Sequence, residues 1–551
     1  MDQSDALAVS VIQELEQCSG KRAYWEKTWE DIARRVLPNY SAHFTGQNRI
    51  ELTDGQQLLH EMVDSTAALA LGRFAAAMES MLTPRNSKWH SLMPSDRSLL
   101  QNREVRLWFE DVTRILFQYR YAASANFQSQ KHEDYLMLGA FGTGNVFIDA
   151  LHSRTEKGLR YRAVHLGQCY FQENHQGIID SNYRKFPLTA RQAVEQFGEE
   201  VPEVIAKQAS DPKRATTVHW FIHKVAPRKD YDPNRVDLLG MEYESVYVSI
   251  TGKKTVRTGG YSTFPYAISR YVTTPGELYG RSPAMMALPT IRSLNEMKKT
   301  MLKQGHRSVD PVLLAHDDGV VDNFSMRPGA INAGGVNAEG RPLVHALPVG
   351  NLAIGDKLME QEKLVINDFF LVTLFQILVD TPQMTATEVV ERAREKGALL
   401  SPTMGRQQSE SLGPMIDREL DVLRELKLLP PMPQRLIDAR GDYTVQYDSP
   451  LSRMARAEEA AGFMRSLETA LRFVEVTQDT SPLDYFNIDE IMPETMDINA
   501  MPVRWRNDLA KVQQMRAQRA QQAQQQQMLD AAPAGAAMLK TLLPKQPQGV
   551  A

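Results

Sequence analysis

The chain reads as an α+β protein with more than one domain, on three observations. Its 551 residues exceed what one hydrophobic core normally serves, about 250–300 residues. Apolar residues recur at helical spacing toward both ends, while the middle of the chain favours short alternating runs. Two long helical patterns, over 283–307 and 351–376, bracket a Pro/Gly-rich block that breaks into strand-sized pieces.

Composition removes several classes of function. The net charge is only -4, so a generally basic nucleic-acid surface is absent and only local patches remain. The two cysteines, Cys18 and Cys169, suggest no disulfide framework, and their spacing is no metal motif. The opening MDQSDALAVSVIQELEQ lacks the basic start and long apolar core of a secretory signal. No apolar run reaches the ~20 residues of a bilayer span, and FFLVTLF is too short.

Taken in order, residues 4–38 predict a helix carrying Leu7, Val11, Leu15, Trp25, Trp29, Ile32 and Val36, broken near Gly20 and closed by Pro38. A polar loop follows over 39–54, then a helix over 56–82 with small residues at Ala67, Ala68, Ala70, Ala75, Ala76 and Ala77. LTPRNSKWHSLMP is a turn-rich link in which Trp89 reads as a packing anchor. Residues 101–138 predict helix. The next stretch, GAFGTGNVFIDA, predicts a tight glycine turn into a strand at Val146–Ile148. It is no phosphate loop, because the full glycine spacing and the terminal Lys with its adjacent Ser/Thr are missing.

The period then changes. LRYRAVHL, CYFQEN, GIIDSNYRKFPL, TTVHWFIHKV, YESVYVSITGKKTVRTGG and FPYAISRYV predict strands, with a hairpin turn at Thr251–Gly252. TARQAVEQFG and VPEVIAKQAS predict short helices, the first capped by Thr189. His219 and His223 stand four apart, but on a strand and without the Glu of a zinc helix, so they read as sheet packing.

In the paired helices, Pro283 suits a helix start and Pro289 should end or kink the first turn. Ile291, Leu294, Met297 or Lys298, and Met301 continue the pattern until Gly305. The return helix places Leu358, Val365, Phe369, Val372 and Phe375 on one broad face and Glu360, Glu362, Lys363 and Asp368 on a wetter one. The pattern alone fits struts, a hinge, a pore lining or an ordinary helical hairpin. Between the helices, Val312, Leu313 and Leu314 fit a strand in a small β module. Beyond them DTPQM reads as a loop, and Thr385 or Thr387 caps a helix or broken helical pair running toward Leu428, with Glu388 in its first turn. Arg392, Glu395 and Lys396 read as surface or intersubunit pairs, and Pro430, Pro431 and Pro433 as a boundary. GDYTVQYDSPLSR predicts a strand and loop, 453–478 a helix, and SPLDYFNIDEIMPETMDINAMP one or two short helical pieces. KVQQMRAQRAQQAQQQQMLD is helix-compatible, and an Ala/Pro-rich tail ends the chain.

Six pieces in this order resemble the head-to-tail connector, or portal, proteins of short-tailed bacteriophages. They are WEKTWEDIARRVLPN at 25–39, the Ala-rich helix 67–77 followed by LTPRNSKWHSL, GAFGTGNVFI, ELYGRSPAMMALPTIRSLNEM at 277–297, DPVLL at 310–314 and MTATEVVERAREK at 384–396. The resemblance implies a portal-like subunit with wing, long-helix stem, small β-rich clip and helical crown, forming a ring of usually twelve copies around duplex DNA. It sits at the unique portal vertex of the virion, at the head-tail junction, and is assembled in the bacterial host cytoplasm. Carried over, residues 1–282 resemble the N-terminal wing, 283–307 the first stem helix, 308–350 the clip and 351–376 the second stem helix. Residues 377–430 then hold a tunnel loop and C-terminal wing helices, 431–504 the crown, and 505–551 a Gln/Ala-rich tail or barrel extension.

The implied partners are the large terminase during packaging, the major capsid and scaffolding proteins, a tail adaptor and internal ejection proteins. ATP hydrolysis and DNA cutting fall to the terminase, so no catalytic, cofactor or metal residues are expected in this chain. Candidate DNA or interface contacts are Lys298, Lys299, Lys303, His306 and Arg307, whose charges suit phosphate. Arg281 and Arg292 suit packing or salt bridges. The competing readings are a tail adaptor or capsid-associated scaffold without a portal role, and a nucleic-acid motor or nuclease subunit.

Overall fold

The computed structural model describes residues 3–44, 62–151, 155–315, 325, 327–332, 335–347, 352–376, 402–448, 450–478, 481–498, 501, 505–507 and 511–523. Two units are distinguished by their internal contacts. One takes in Met1–Trp89, Ile115–Leu429 and Tyr447–Leu451, the other His90–Arg114, Pro430–Gln446 and Ser452–Ala551.

In the first unit, helix α1 (Gln3–Val36) runs unbroken through Gly20. The expected break is absent because residues on both sides of the glycine are buried, from Val11, Leu15 and Cys18 to Trp29, Ile32 and Val36. Arg22 adds to this. Its buried guanidinium donates to the carbonyls of Leu166 and Gly167 at 3.0 Å and of Cys169, and lies 3.6 Å over the Tyr170 ring. Such contacts outweigh the ~1 kcal/mol that a mid-helix glycine costs. Helix α2 (Thr66–Leu82) starts later than the pattern suggested. Residues 62–65 are not helical, and Asp64 Oδ1 accepts from Thr66 N at 2.8 Å, which fixes the start. Residues 45–61, which hold the rest of the predicted loop and helix start, lie outside the described residues.

The helical pattern over 101–138 divides into α3 (Arg103–Arg120) and α4 (Phe127–Phe141). The chain turns between them, with Asn126 at φ 58°. The Tyr121 hydroxyl bonds the Thr83 carbonyl at 3.2 Å and accepts from the Trp89 indole at 3.1 Å, so Trp89 is the buried anchor its position suggested.

Strand β1 (His90–Pro94) forms within the stretch read as a turn-rich link and belongs to the second unit. The strands after it, through Tyr266–Arg270, follow the expected order. A three-stranded antiparallel sheet orders β3 (Leu159–Ala163), β2 (Thr143–Ala150) and β9 (Tyr266–Arg270). A five-stranded antiparallel sheet runs β4 (Cys169–Glu173), β5 (Ile179–Thr189), β6 (Val218–Pro227), β7 (Tyr243–Ser249) and β8 (Lys254–Tyr261). Alternate residues of this sheet serve different cores. Tyr183, Ile222, Val246 and Val248 pack with Ala8, Val11 and Leu15 of α1. Phe186, Phe221 and Val256 pack with α5 (Ala190–Phe197) and with Ile205 of α6 (Glu203–Ser210). Thr189 caps α5 in a reciprocal box with Gln192, at 3.3 and 3.0 Å.

His223 is a packing residue, as its strand position implied. Its ring nitrogens reach Tyr266 at 2.9 Å and Ser245 at 3.0 Å, and the ring stacks on Tyr247 at 4.0 Å. Burial, followed by the nearby Arg184 charge, pushes its pKa down to about 3.

The three-stranded sheet leads into helix α7 (Pro283–Val309) through a close backbone contact. Gly142 ends α4 at φ 78°, and its carbonyl accepts from Tyr271 N at 2.9 Å. Gly280 N donates to Thr143 Oγ1 at 3.0 Å, and Ser282 Oγ donates to the Ala140 carbonyl at 2.8 Å. The same Ser282 oxygen accepts from Met285 N at 2.9 Å and caps α7, with Pro283 in its first turn. A Cβ at Gly142 would fall 2.2 Å from the Gly280 oxygen, and one at Gly280 would fall 2.1 Å from the Gly142 oxygen.

Helix α7 continues through both Pro289 and Gly305, where an end or kink and a stop had been expected. Ala284, Ala287, Leu288, Ile291 and Leu294 are buried on both sides of Pro289, and that packing carries the helix past its missing N–H. A two-stranded antiparallel sheet of β10 (Leu313–Ala315) and β11 (Val344–Ala346) separates α7 from α8 (Leu352–Phe369). Leu371, at φ 58°, turns the chain into α9 (Val372–Gln376). The buried stripe of the return helix is Met359, Ile366, Phe370 and Val372. Of the broad apolar face read from the sequence, Leu358 and Val365 are exposed and Val372 is buried, because α8 turns Met359 and Ile366 inward. Gly355 lets the start of α8 approach the end of α7, where an added Cβ would fall 2.5 Å from Met301 Sδ.

Residues 377–401, with DTPQM, Thr385, Thr387, Glu388, Arg392, Glu395 and Lys396, lie outside the described residues. Past them come α10 (402–407), a π turn at Gln408–Leu412 and α11 (Gly413–Glu425). The π turn is held by Arg270, which pairs with Glu410 at 2.9 Å, and by buried Lys131, which donates to Ser411 at 2.9 Å and pairs with Asp134 at 2.8 Å.

In the second unit β1 pairs with β12 (Tyr443–Tyr447), and the Trp108 indole donates to the Pro430 carbonyl at 3.2 Å. Helices α12 (Gln434–Asp438), α13 (Pro450–Thr477) and α14 (Ile488–Ile498) follow, then a helical stretch over 511–523. Arg516 pairs with Asp489 at 2.7 Å. The Ala/Pro-rich tail lies outside the described residues.

Two glycines of opposite meaning give a paired expectation. Gly142→Ala forces a clash and an unfavourable φ, and should cost about 3 kcal/mol or more in chemical denaturation. Gly20→Ala adds a methyl where nothing lies within 4 Å, and should add about 0.5–1 kcal/mol. Equal midpoints for the two variants would contradict both assignments.

Candidate functional site

The candidate cations lie in the second half of α7. At about 100° per residue, Arg292, Lys299, Lys303, His306 and Arg307 share one side of the helix, while Lys298 points about a third of a turn away. Lys299, Lys303, His306 and Arg307 are all exposed. Lys299 has only a loose 3.9 Å approach to Glu296 of its own helix. The result is a basic strip along one exposed face of α7. Lysine and arginine on such a strip can meet phosphates without reading base sequence.

Lys298 has a different job. Its Nζ lies 2.9 Å from Asp64 Oδ2, at the start of α2. Next to it, Asn295 Oδ1 accepts from both Val63 N and Asp64 N at 2.9 Å. Lys298 and Asn295 therefore fasten α2 to α7. Burial opposes ionisation of Asp64, but hydrogen bonds from Thr66 and Lys298 outweigh it and hold the carboxyl below the usual aspartate range. Sequence offered no hint of this partner, which lies 234 residues away. Arg292 and Arg281 both form the salt bridges open to them, with Asp31 and Glu277, each at 2.5 Å.

Buried charge was the feature sequence reasoning missed. Arg120 and Glu419 form a fully buried bidentate pair, one arm at 3.0 Å, and Glu419 also accepts from the Tyr161 hydroxyl at 2.6 Å. The Arg120 guanidinium lies 4.6 Å over Trp89. Arg418, likewise buried, pairs with Asp421 at 3.0 Å and Asp149 at 3.4 Å. These contacts fix α11 to α3 and to the three-stranded sheet. Cys18 and Cys169 are free and buried, and burial pushes the Cys169 thiol up to about 11. Among the described residues no cluster of His, Cys, Asp or Glu could hold a metal ion, and no helix is long and apolar enough to cross a membrane.

A mixed helix-and-strand subunit built around a pinned long-helix pair fits a structural class of protein, and comparison with known proteins gives that class its name. The bacteriophage head to tail connecting protein family matches residues 8–505, and the chain belongs to it. Among its relatives are a probable portal protein of Bordetella phage BPP-1, 29% identical over 456 residues, covering 80% of this chain and 78% of the relative. Another is the portal protein of Salmonella phage epsilon15, 25% identical over 554 residues, covering 98% and 96%. The family is a structural one, found at the junction of head and tail in the virion.

The Asp64 pin carries a pH expectation. Its folded pKa is depressed, so its contribution is full above the ordinary aspartate range and is lost as pH falls through the lower folded value. Asp64→Asn should cost about 1 kcal/mol at neutral pH and make the acid side of the stability profile shallower. An unchanged profile in denaturant titrations from neutral to acid pH would count against the pin.

Proposed function

We propose that copies of this portal protein close into a ring, a dodecamer, around double-stranded DNA at the unique capsid vertex. The ring conducts DNA inward during packaging and outward at ejection. The observation that carries this reading is the α7/α8 pair, locked at its base by the Gly142–Gly280 contact and joined across the β10/β11 sheet. The 27 residues of α7 make a strut of about 40 Å.

In this reading residues 1–282 are the wing, 283–307 and 351–376 the stem helices, and 308–350 the clip. Residues 377–430 supply the tunnel loop and C-terminal wing, 431–504 the crown, and 505–551 the tail or barrel extension. Ile354, Leu358 and Val365 lie along one exposed side of α8, and a neighbouring copy in a heterologous ring contact would cover them. The strip of Lys299, Lys303, His306 and Arg307 supplies phosphate contacts. A chain of net charge -4 holds DNA weakly enough to let it slide.

The ring itself performs no catalysis. The large terminase docks on the clip during packaging, a tail adaptor replaces it afterwards, and the major capsid and scaffolding proteins surround the stem. Internal ejection proteins lie on the head side. Assembly takes place in the host cytoplasm.

Electron microscopy of the purified protein should show closed rings with a channel wide enough for duplex DNA. A monomer at every salt concentration, together with virions lacking the subunit at the vertex, would favour a scaffold or adaptor role instead. The double variant Lys299→Gln/Lys303→Gln should still form rings, and should reduce the log–log salt slope of DNA binding by about 2. An unchanged slope would remove α7 from the DNA path.

A further inference from the structure

Between the three-stranded and five-stranded sheets of the first unit lies a cavity of about 830 Å³, within the size range of small-ligand sites. Two arginines reach it from opposite sheets. Arg162 stands on β3 opposite Phe147, and Arg184 stands on β5 opposite His223. Arg184 is buried, with 6% of its surface exposed, yet it meets only neutral acceptors, Gln168 Oε1 at 3.4 Å and the Tyr266 hydroxyl. Among the described residues neither Arg162 nor Arg184 has a carboxylate within ion-pair distance.

Two acids line the cavity, and the exposed Glu195 is within ion-pair distance of neither arginine. Asp149 lines the same cavity but is engaged by Arg418 at 3.4 Å. His223 is neutral, and so adds no positive charge. The nearby Arg184 charge is the main cause that pulls Arg162 down to about 10, in keeping with two like charges lining one cavity. Unlike Arg184, the buried arginines Arg120 and Arg418 each have a carboxylate partner. Leaving the buried Arg184 guanidinium unmatched beside this cavity is costly unless an anion joins it there, and Arg162, exposed on β3, lines the same cavity from the opposite sheet.

We propose that the cavity between the two sheets is a binding site for a phosphate-type oxyanion, gripped by Arg162 from one sheet and Arg184 from the other. Planar guanidiniums suit a tetrahedral oxyanion because each can offer two N–H groups in parallel. The ligand bridges the two sheets, so its binding couples the strands below α7 to those packed on α1. The same chemistry could come from free phosphate or from a phosphate monoester at a nucleic-acid end. The site is separate from the basic strip on α7 and does not depend on where DNA runs.

Inorganic phosphate is the probe for the test. Calorimetric titration of the full-length protein at ionic strength matched with chloride should show saturable phosphate binding, together with a rise in thermal unfolding midpoint. Arg162→Gln should weaken that binding about tenfold or more, while unfolding in chloride at the same temperature or higher, because it relieves repulsion at Arg184. Arg162→Lys should bind with intermediate affinity. Lys299→Gln, on the α7 strip, should bind phosphate as the parent does. A short oligonucleotide with a 5′-phosphate, set against the same oligonucleotide without it, separates the two sources. Tighter binding of the phosphorylated form assigns a monoester, and binding of inorganic phosphate alone assigns the free ion. No saturable binding of either, or equal binding by Arg162→Gln and the parent, overturns the proposal.

Discussion

The contact between Gly142 and Gly280 is the constraint on which the first unit depends. Two backbones approach there closely enough that neither position can carry a side chain. One strand of chain closes α4 and opens the three-stranded sheet, while the other closes that sheet and opens α7. Hydrogen bonds from Gly280 to Thr143 and from Ser282 to Ala140 complete the junction. The direction of the long helix is therefore set by backbone geometry at its root. Packing along α7 then has only to preserve that direction, which Ala284, Ala287, Ile291 and Leu294 do from the core side.

Around this root the molecule uses charge in two distinct ways. Inside, ion pairs such as Arg120–Glu419 and Arg418–Asp149 tie the late helix α11 to elements made about 270–300 residues earlier. Such pairs add little net stability over an apolar core, but they penalise any misplacement of a partner. Outside, the cations of α7 remain exposed. Lys298 shows how narrow the division is, since it neighbours Lys299 in sequence and yet belongs to the interior scheme through Asp64.

Much of this architecture was legible in the sequence because it rests on local rules. The period-two runs became strands, Thr189 capped its helix, and the glycines of GAFGTG made the turn into β2. The misreadings share a cause. Gly20, Pro289 and Gly305 carry real local penalties, but tertiary packing on either side of Gly20 and Pro289 exceeds them. Asn126 turned one apparent helix into two, since an asparagine at positive φ is indistinguishable in sequence from one on a helix surface. The sequence did not show which apolar side of α8 turns inward, because that helix is apolar on two sides and the position of α7 decides. Of the candidate site, the charges themselves were legible but their division was not, because Asp64 and Asn295 meet only in the folded chain.

The division of α7 into two faces also restricts how this chain can vary in length. Inserting one residue midway along the helix would turn everything beyond it by about 100°. Lys298 would swing away from Asp64, Met301 would leave the notch at Gly355, and the exposed cations would rotate toward the core. Only insertions of about seven residues, close to two full turns, would restore the arrangement. Family members should therefore keep the spacing from Gly280 to Met301 fixed.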